Sequence, residues 1–275
     1  VTLALVGIGQ TLVFMIGGTD LSVGGLISFT NCLAAAYMPD SVGGIVLFSF
    51  GILLAGAAAG MFNGFIIVKF RLQPFIATLT TWAIWSGAAL CILSVDGGKV
   101  PRAFTKALLY KFGSVKVSLL ILAALIIIGV FFKVSRLGIA VLAVGSNEKG
   151  AYFGGINVTR TKILVYTISG FLAACSGLFR TAQVSSGSPT AGDSFILLSC
   201  AAAVIGGCSI VTGYYSFAGA VMGAVIMRLL TSLMVAVGVS SYMTSLLQGV
   251  ILIVSVCISS FTAIFHNRKK MEVDM

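Results

Sequence analysis

Charge is scarce in this chain. Asp, Glu, Lys and Arg together make up 9% of its 275 residues, with only 7 acidic side chains and one histidine, whereas ordinary soluble domains carry about 25% charge. Beside 59% hydrophobic residues and a mean hydropathy of +1.12, that scarcity excludes a soluble core under a solvated surface. Other absences narrow the function. There is no G-x-x-x-x-G-K-[ST] run, so the chain has no phosphate-cradling ATPase loop, and no H-E-x-x-H. The sole histidine, His266, sits in the tail away from any plausible serine nucleophile. Six cysteines (Cys32, Cys91, Cys175, Cys200, Cys208, Cys257) include no C-x-x-C pair, which reads as small buried thiols and no metal site. No basic region precedes the first apolar run, so the start is not a signal peptide. Val1 opens inside that run, and the expectation is that a preceding helix is missing.

What is present is apolar sequence. Stretches such as 117–132 are almost continuously hydrophobic, unlike the alternating ten-residue segments of a membrane β-barrel. The fold expected is all-α, a polytopic helical membrane protein with about nine spans, near 2–17, 21–37, 44–67, 74–95, 117–132, 163–183, 195–211, 217–237 and 242–263. Residues 1–275 then form a single transmembrane domain. The net charge of +10 reads as loop bias and attraction to anionic lipid, not as a nucleic-acid footprint.

Two long loops hold most of the basic charge. Residues 96–116 carry Lys99, Arg102, Lys106, Lys111 and Lys116; residues 133–162 carry Lys133, Arg136, Glu148, Lys149, Arg160 and Lys162. One span separates them, so they lie on opposite sides. Placing 133–162 in the cytoplasm puts Lys69, Arg71 and the tail residues Arg268, Lys269 and Lys270 there too, as the positive-inside tendency requires. The C-terminus is then cytoplasmic and 96–116 extracytoplasmic.

The spans are interrupted in informative places. Gly17-Gly18-Thr19-Asp20-Leu21-Ser22-Val23-Gly24-Gly25 is either a tight turn with Asp20 capping the next helix, or an interrupted helix that sets Asp20 and Ser22 beside a transport path. A similar Gly-Gly frame recurs at Ile205-Gly206-Gly207-x-x-Ile210-x-x-Gly213, a weak sign of an internal repeat. Pro74 opens a span, with Phe75 and Thr78 expected on one face. The small polar stretch 185–193 is a pathway mouth or a plain connector. Arg180 can snorkel from the end of its span; Arg228 lies nearer mid-membrane, where a charge faces a bundle interior or water.

Together these motifs resemble the permease subunits of bacterial ribose-type sugar ABC importers, the family that includes xylose, galactose and autoinducer-2 permeases. The matching pieces run in order: Gly17-Gly18-Thr19-Asp20-Leu21-Ser22-Val23-Gly24, Phe62-Asn63-Gly64, Gln73-Pro74-Phe75-Ile76-Ala77-Thr78-Leu79, Arg136-Leu137-Gly138, Ala143 to Lys149, Gly155-Ile156-Asn157-Val158 and Ala202 to Gly207. The resemblance implies a ten-helix subunit paired with a second permease subunit, a bacterial inner-membrane location, ABC ATPase partners that bind the ATP, and an extracytoplasmic solute-binding protein. It implies no cofactor on this chain. It makes Val144 to Ile156 a coupling helix for the ATPase, with Gly145, Ser146, Asn147, Glu148 and Lys149 at its centre. The chain departs from the family at Ile196 and Leu198, where acids are usual, and at Arg180 and Cys208, so its partner could be a different permease in a heterodimer.

The mechanism expected is alternating access. A binding protein docks on the basic loop 96–116, and ATP-driven motion of the coupling segment opens a path lined by Asp20, Ser22, Asn63, Phe75 and Thr78. The competing expectation is an ion-coupled secondary transporter or channel, which places ionisable groups within its spans.

Overall fold

The computed structural model describes residues 1–112, 115–208, 216–240, 243–255 and 257. Ile210, Gly213, Arg268, Lys269, Lys270 and His266, all named above, lie outside the described residues. The helices are α1 Thr2–Met15, α2 Ser22–Tyr37, α3 Val42–Lys69, α4 Pro74–Ile92, α5 Arg102–Leu108, α6 Val117–Val134, α7 Arg136–Ser146, α8 Glu148–Phe153, α9 Val158–Val184, α10 Asp193–Ile205 and α11 Phe217–Ala236, then α12 Met243–Ser255. A two-stranded hairpin, β1 Lys111–Phe112 with β2 Val115–Lys116, precedes α6.

A helix stands at each of the nine expected span positions. Five of them, α3, α4, α6, α9 and α11, are long and apolar enough to cross a bilayer. The 16 residues of α2 reach only about 24 Å at 1.5 Å per residue, against a hydrocarbon core of about 30 Å. The first Gly-rich break therefore sits at membrane depth, where its backbone must be satisfied by protein or water. All of α1 is buried, as a helix without a polar face requires.

Helix α9 is the spine. It packs on α1, α2 and α3, while α10 and α11 close the other side of α1, α4 lies along α2, and α6 rests on α11. The tightest seam is α3 against α9, where small residues let backbones approach. A methyl added at Gly60 would overlap the Tyr166 carbonyl oxygen, and one at Gly170 would overlap the carbonyl oxygen of Gly56. By contrast only Gly129 of α6 is buried, so that helix is left to face lipid or a partner subunit.

The two Gly-Gly frames are alike for a local reason. Both helices end in the same C-cap: after α1, Gly17 is left-handed at φ 73° and the Gly18 N–H donates to Val13; after α10, Gly207 is left-handed at φ 82° and the Cys208 N–H donates to Ala203. The left-handed residue is the first glycine in one frame and the second in the other. Gly155 after α8 and Gly238 after α11 repeat the pattern, so the frame marks a common helix ending.

Segment 133–162 folds as the end of α6, two short helices and the first turn of α9, which begins at Val158 under an Asn157 cap whose Oδ1 accepts the Arg160 N–H at 3.0 Å. Lys162 thus belongs to α9. At the opposite end, the buried Phe104 anchors α5 against Ala174 and Leu178 of α9.

Candidate translocation site and coupling segment

Because α2, at 16 residues, is too short to span, the reversal before it brings backbone and side-chain polar groups into the bundle. Asp20 is 1% exposed. Its Oδ1 accepts the Ser22 N–H at 3.1 Å and the Ser22 hydroxyl at 2.6 Å, and its Oδ2 accepts the Ser169 hydroxyl of α9 at 2.7 Å. Asn63 of α3 donates its amide to the Ser22 hydroxyl at 2.8 Å. A buried carboxyl without a cation beside it is tolerated only when its oxygens are hydrogen-bonded, and these three donors meet that need.

Thr78 of α4 joins from the side. Its hydroxyl shares contacts with the carbonyls of Pro74 at 2.9 Å and Thr19 at 3.3 Å, tying α4 to the break. Four of the expected pathway residues, Asp20, Ser22, Asn63 and Thr78, therefore converge and are all buried. Phe75 does not join them. It is 50% exposed, because three residues along a helix leave side chains about 60° apart, enough here to turn Phe75 outward.

Two groups in this region are unspent. The Asn63 carbonyl oxygen and the Tyr166 hydroxyl are buried without a hydrogen-bond partner among the described residues. Tyr166 also borders a cavity of about 1200 Å³ reached from one end of the bundle and walled by Gly17, Gly18, Arg71, Glu148, Lys162 and others. The polar cluster thus lies behind the inner wall of a wide vestibule.

The coupling-type segment forms another part of that wall. Asn147 caps α8, its Oδ1 accepting the Gly150 N–H at 2.9 Å. Glu148 pairs with Lys162 at 2.8 Å, and the Ser146 hydroxyl returns to the Leu142 carbonyl at 2.9 Å. Gly145 packs on the Met15 carbonyl in the last turn of α1, leaving no room for a methyl. The polar groups of this segment are thus largely used within it, with Lys149 exposed beside them. What faces outward is aromatic: Tyr152 and Phe153 are 69% and 85% exposed, with their rings 5.9 Å apart.

At the far end, Asn31 of α2 fastens the 185–193 stretch. Its amide donates to the Thr181 hydroxyl at 2.8 Å and the Ser186 carbonyl at 3.1 Å, and its Oδ1 accepts the Ser188 N–H at 2.7 Å. Gly187 forms a bridge with Gly97, so the stretch is a pinned turn.

A sequence profile for the permease component of branched-chain amino acid transport systems matches residues 1–256. The chain belongs to this permease family. The permease is 34% identical to the ribose import permease protein of Escherichia coli over 265 residues, covering 94% of this chain and 82% of the relative. It is 32% identical to the ribose import permease protein of Bacillus subtilis over 258 residues, 92% and 79%. A fructose import permease protein of Bifidobacterium longum is 33% identical over 273 residues, 96% and 75%. No solved structure matches. The permease is thus a multi-pass helical membrane subunit of a transport system.

Sequence reasoning missed Ser169, Tyr166 and Asn31. The available signals were polar side chains inside otherwise apolar spans, and the Gly56, Gly60, Gly64 spacing that aligns α3 with α9.

Proposed function

We propose that the permease is the transmembrane subunit of an ATP-binding cassette importer, carrying a sugar or similar small polar solute delivered by an external binding protein. Its similarity to ribose and fructose import permeases supports the class of cargo. The observation that carries the mechanism is the packing of Gly145 on Met15: the segment assigned to the ATPase abuts the last turn of α1, two residues before the break that leads to Asp20.

In this reading the vestibule faces the cytoplasm, as does the C-terminus. ATPase subunits grip α8 through Tyr152 and Phe153, and their closure pushes α7 and α1. That motion parts the Asp20, Ser22, Asn63 and Ser169 cluster, whose hydroxyls and amide then replace water around the solute's own hydroxyls. The basic loop 96–116, with Lys111 directly opposite Lys116 in its hairpin, offers like charges that an acidic surface on the binding protein would relieve. A second permease subunit, identical or not, completes the path.

Co-expression with the neighbouring ATPase and binding protein tests the reading. A stoichiometric complex whose ATP hydrolysis rises with solute-loaded binding protein is expected. Uptake by the permease alone in vesicles would overturn it.

A further inference from the structure

Between the vestibule and the polar cluster stands Tyr166. It lines the vestibule together with Gly17 and Gly18, whereas Asp20, Ser22, Asn63 and Ser169 do not. At 1% exposure it is the bulkiest fully buried side chain among the described residues. On α9 it lies three residues before Ser169, a spacing that makes the two side chains neighbours on the helix surface.

The base of this side chain is locked and its tip is not. A methyl at Gly60 would overlap the Tyr166 carbonyl oxygen, and one at Gly64 would lie 3.2 Å from its Cβ, so α3 fixes the backbone and the root of the side chain. The hydroxyl rests against Gly18, where a methyl would overlap it, and it has no hydrogen-bond partner among the described residues. Buried hydroxyls are ordinarily paired. This one is held by fit alone, so the ring can change rotamer without breaking a hydrogen bond, and the vestibule of about 1200 Å³ supplies the room. Gly18 also links the ring to the coupling segment, because Gly145 packs on Met15 in the turn just before it.

We propose that Tyr166 is the inner gate of the transport path: its ring bars the vestibule from the Asp20 cluster, and a shift of the Gly17-Gly18 turn releases it. What passes the gate rests on the importer reading above; the barrier itself does not.

The experiment uses the full permease in nanodiscs, with Ser169→Cys as a thiol behind the gate. Sulfonatoethyl methanethiosulfonate, which is anionic and does not cross lipid, is the probe, and mass spectrometry reads each cysteine separately. Neither an ATPase nor the cargo enters the measurement, so failed uptake beside the expected labelling counts against the importer reading and leaves the gate standing. With Tyr166 in place, labelling is slow beside that of Lys149→Cys, an exposed position. Tyr166→Ala speeds it about tenfold or more, as a local opening made easier does. Gly18→Ala does the same from the other side, because its methyl drives the hydroxyl away. Adding Tyr166→Phe to Gly18→Ala restores slow labelling: without the oxygen, the ring Cζ lies 3.4 Å from the methyl, an ordinary contact, and the Val13 Cγ1 contact at 3.2 Å is common to both variants. The native Cys32, fully buried on α2, stays slow throughout. Equal labelling with Tyr and Ala at 166 overturns the proposal, as does a Gly18→Ala effect that Tyr166→Phe leaves unchanged, or a parallel rise at Cys32, which would mean a loosened bundle. Should Tyr166→Ala fail to insert, the two Gly18→Ala variants decide it.

Discussion

Ser169 on α9 holds the carboxyl of Asp20 at 2.7 Å across 149 positions of sequence. It is the one direct side-chain link described between the first helix break and the spine of the bundle, and it sits where neither partner meets solvent. Ser169→Ala leaves one carboxylate oxygen without its donor, at a cost of about 1–3 kcal/mol. A lower Tm and a several-fold slower uptake by the assembled transporter are expected. Asp20→Ala, which strands the Ser22 and Ser169 hydroxyls together, is expected to be worse than Ser169→Ala; equal effects would show that the cluster does not act as a unit.

The α3 and α9 seam predicts a sharp contrast between glycines of one helix. Gly60→Val drives a side chain into the Tyr166 backbone, whereas Gly51→Val enters open space. Yield of folded permease from membranes should collapse for the first and stay near wild type for the second.

Tyr152 and Phe153 are predicted to be the contact with the ATPase. Changing both to Ser should leave Tm unchanged, since both rings are largely exposed, while the ATPase no longer co-purifies. Full retention of the ATPase would move the contact elsewhere.

Glu148 is predicted to transmit motion more than to stabilise. Its exposed pair with Lys162 is worth under about 1 kcal/mol, so Glu148→Gln should barely alter Tm but should uncouple ATP hydrolysis from uptake. Lys162→Gln should do the same if the pair is the route, and normal uptake in Glu148→Gln would remove that residue from the coupling role.

Asn31→Leu should free the 185–193 turn while keeping the helix apolar. The measurement is protease sensitivity of that turn in intact vesicles, expected to rise markedly, together with weaker stimulation of ATP hydrolysis by loaded binding protein.

Much of this architecture is legible in one dimension because apolar span length is set by the bilayer. Helices stand where the hydrophobic runs predicted them, and the Asp20 break was visible as glycines and hydroxyls between two short runs. Side-chain direction was not legible. Phe75 and Thr78 share a motif, yet one points out and the other in, because facing depends on where α4 lands on α2. Ser169 was invisible for a related reason: a lone serine in an apolar span acquires meaning only when a helix distant in sequence places a carboxyl against it. Asn147 and Glu148 were legible as polar, but their partners, Gly150 and Lys162, are local, and the large groups left exposed are the aromatics beside them.

The complete burial of α1 carries a consequence for how the permease is made. Residues 2–15 are synthesised first among those described, while α9, α10 and α11, which enclose them, follow well over a hundred residues later. At about 5–20 residues per second, α1 waits on the order of ten seconds for its neighbours. During that interval the polar Gln10 and Thr11 of α1, which end fully buried, lack the helices that later enclose them. The burial of α1 is therefore completed only when α9, α10 and α11 have been made, so a defect in those late helices exposes the polar middle of the earliest one.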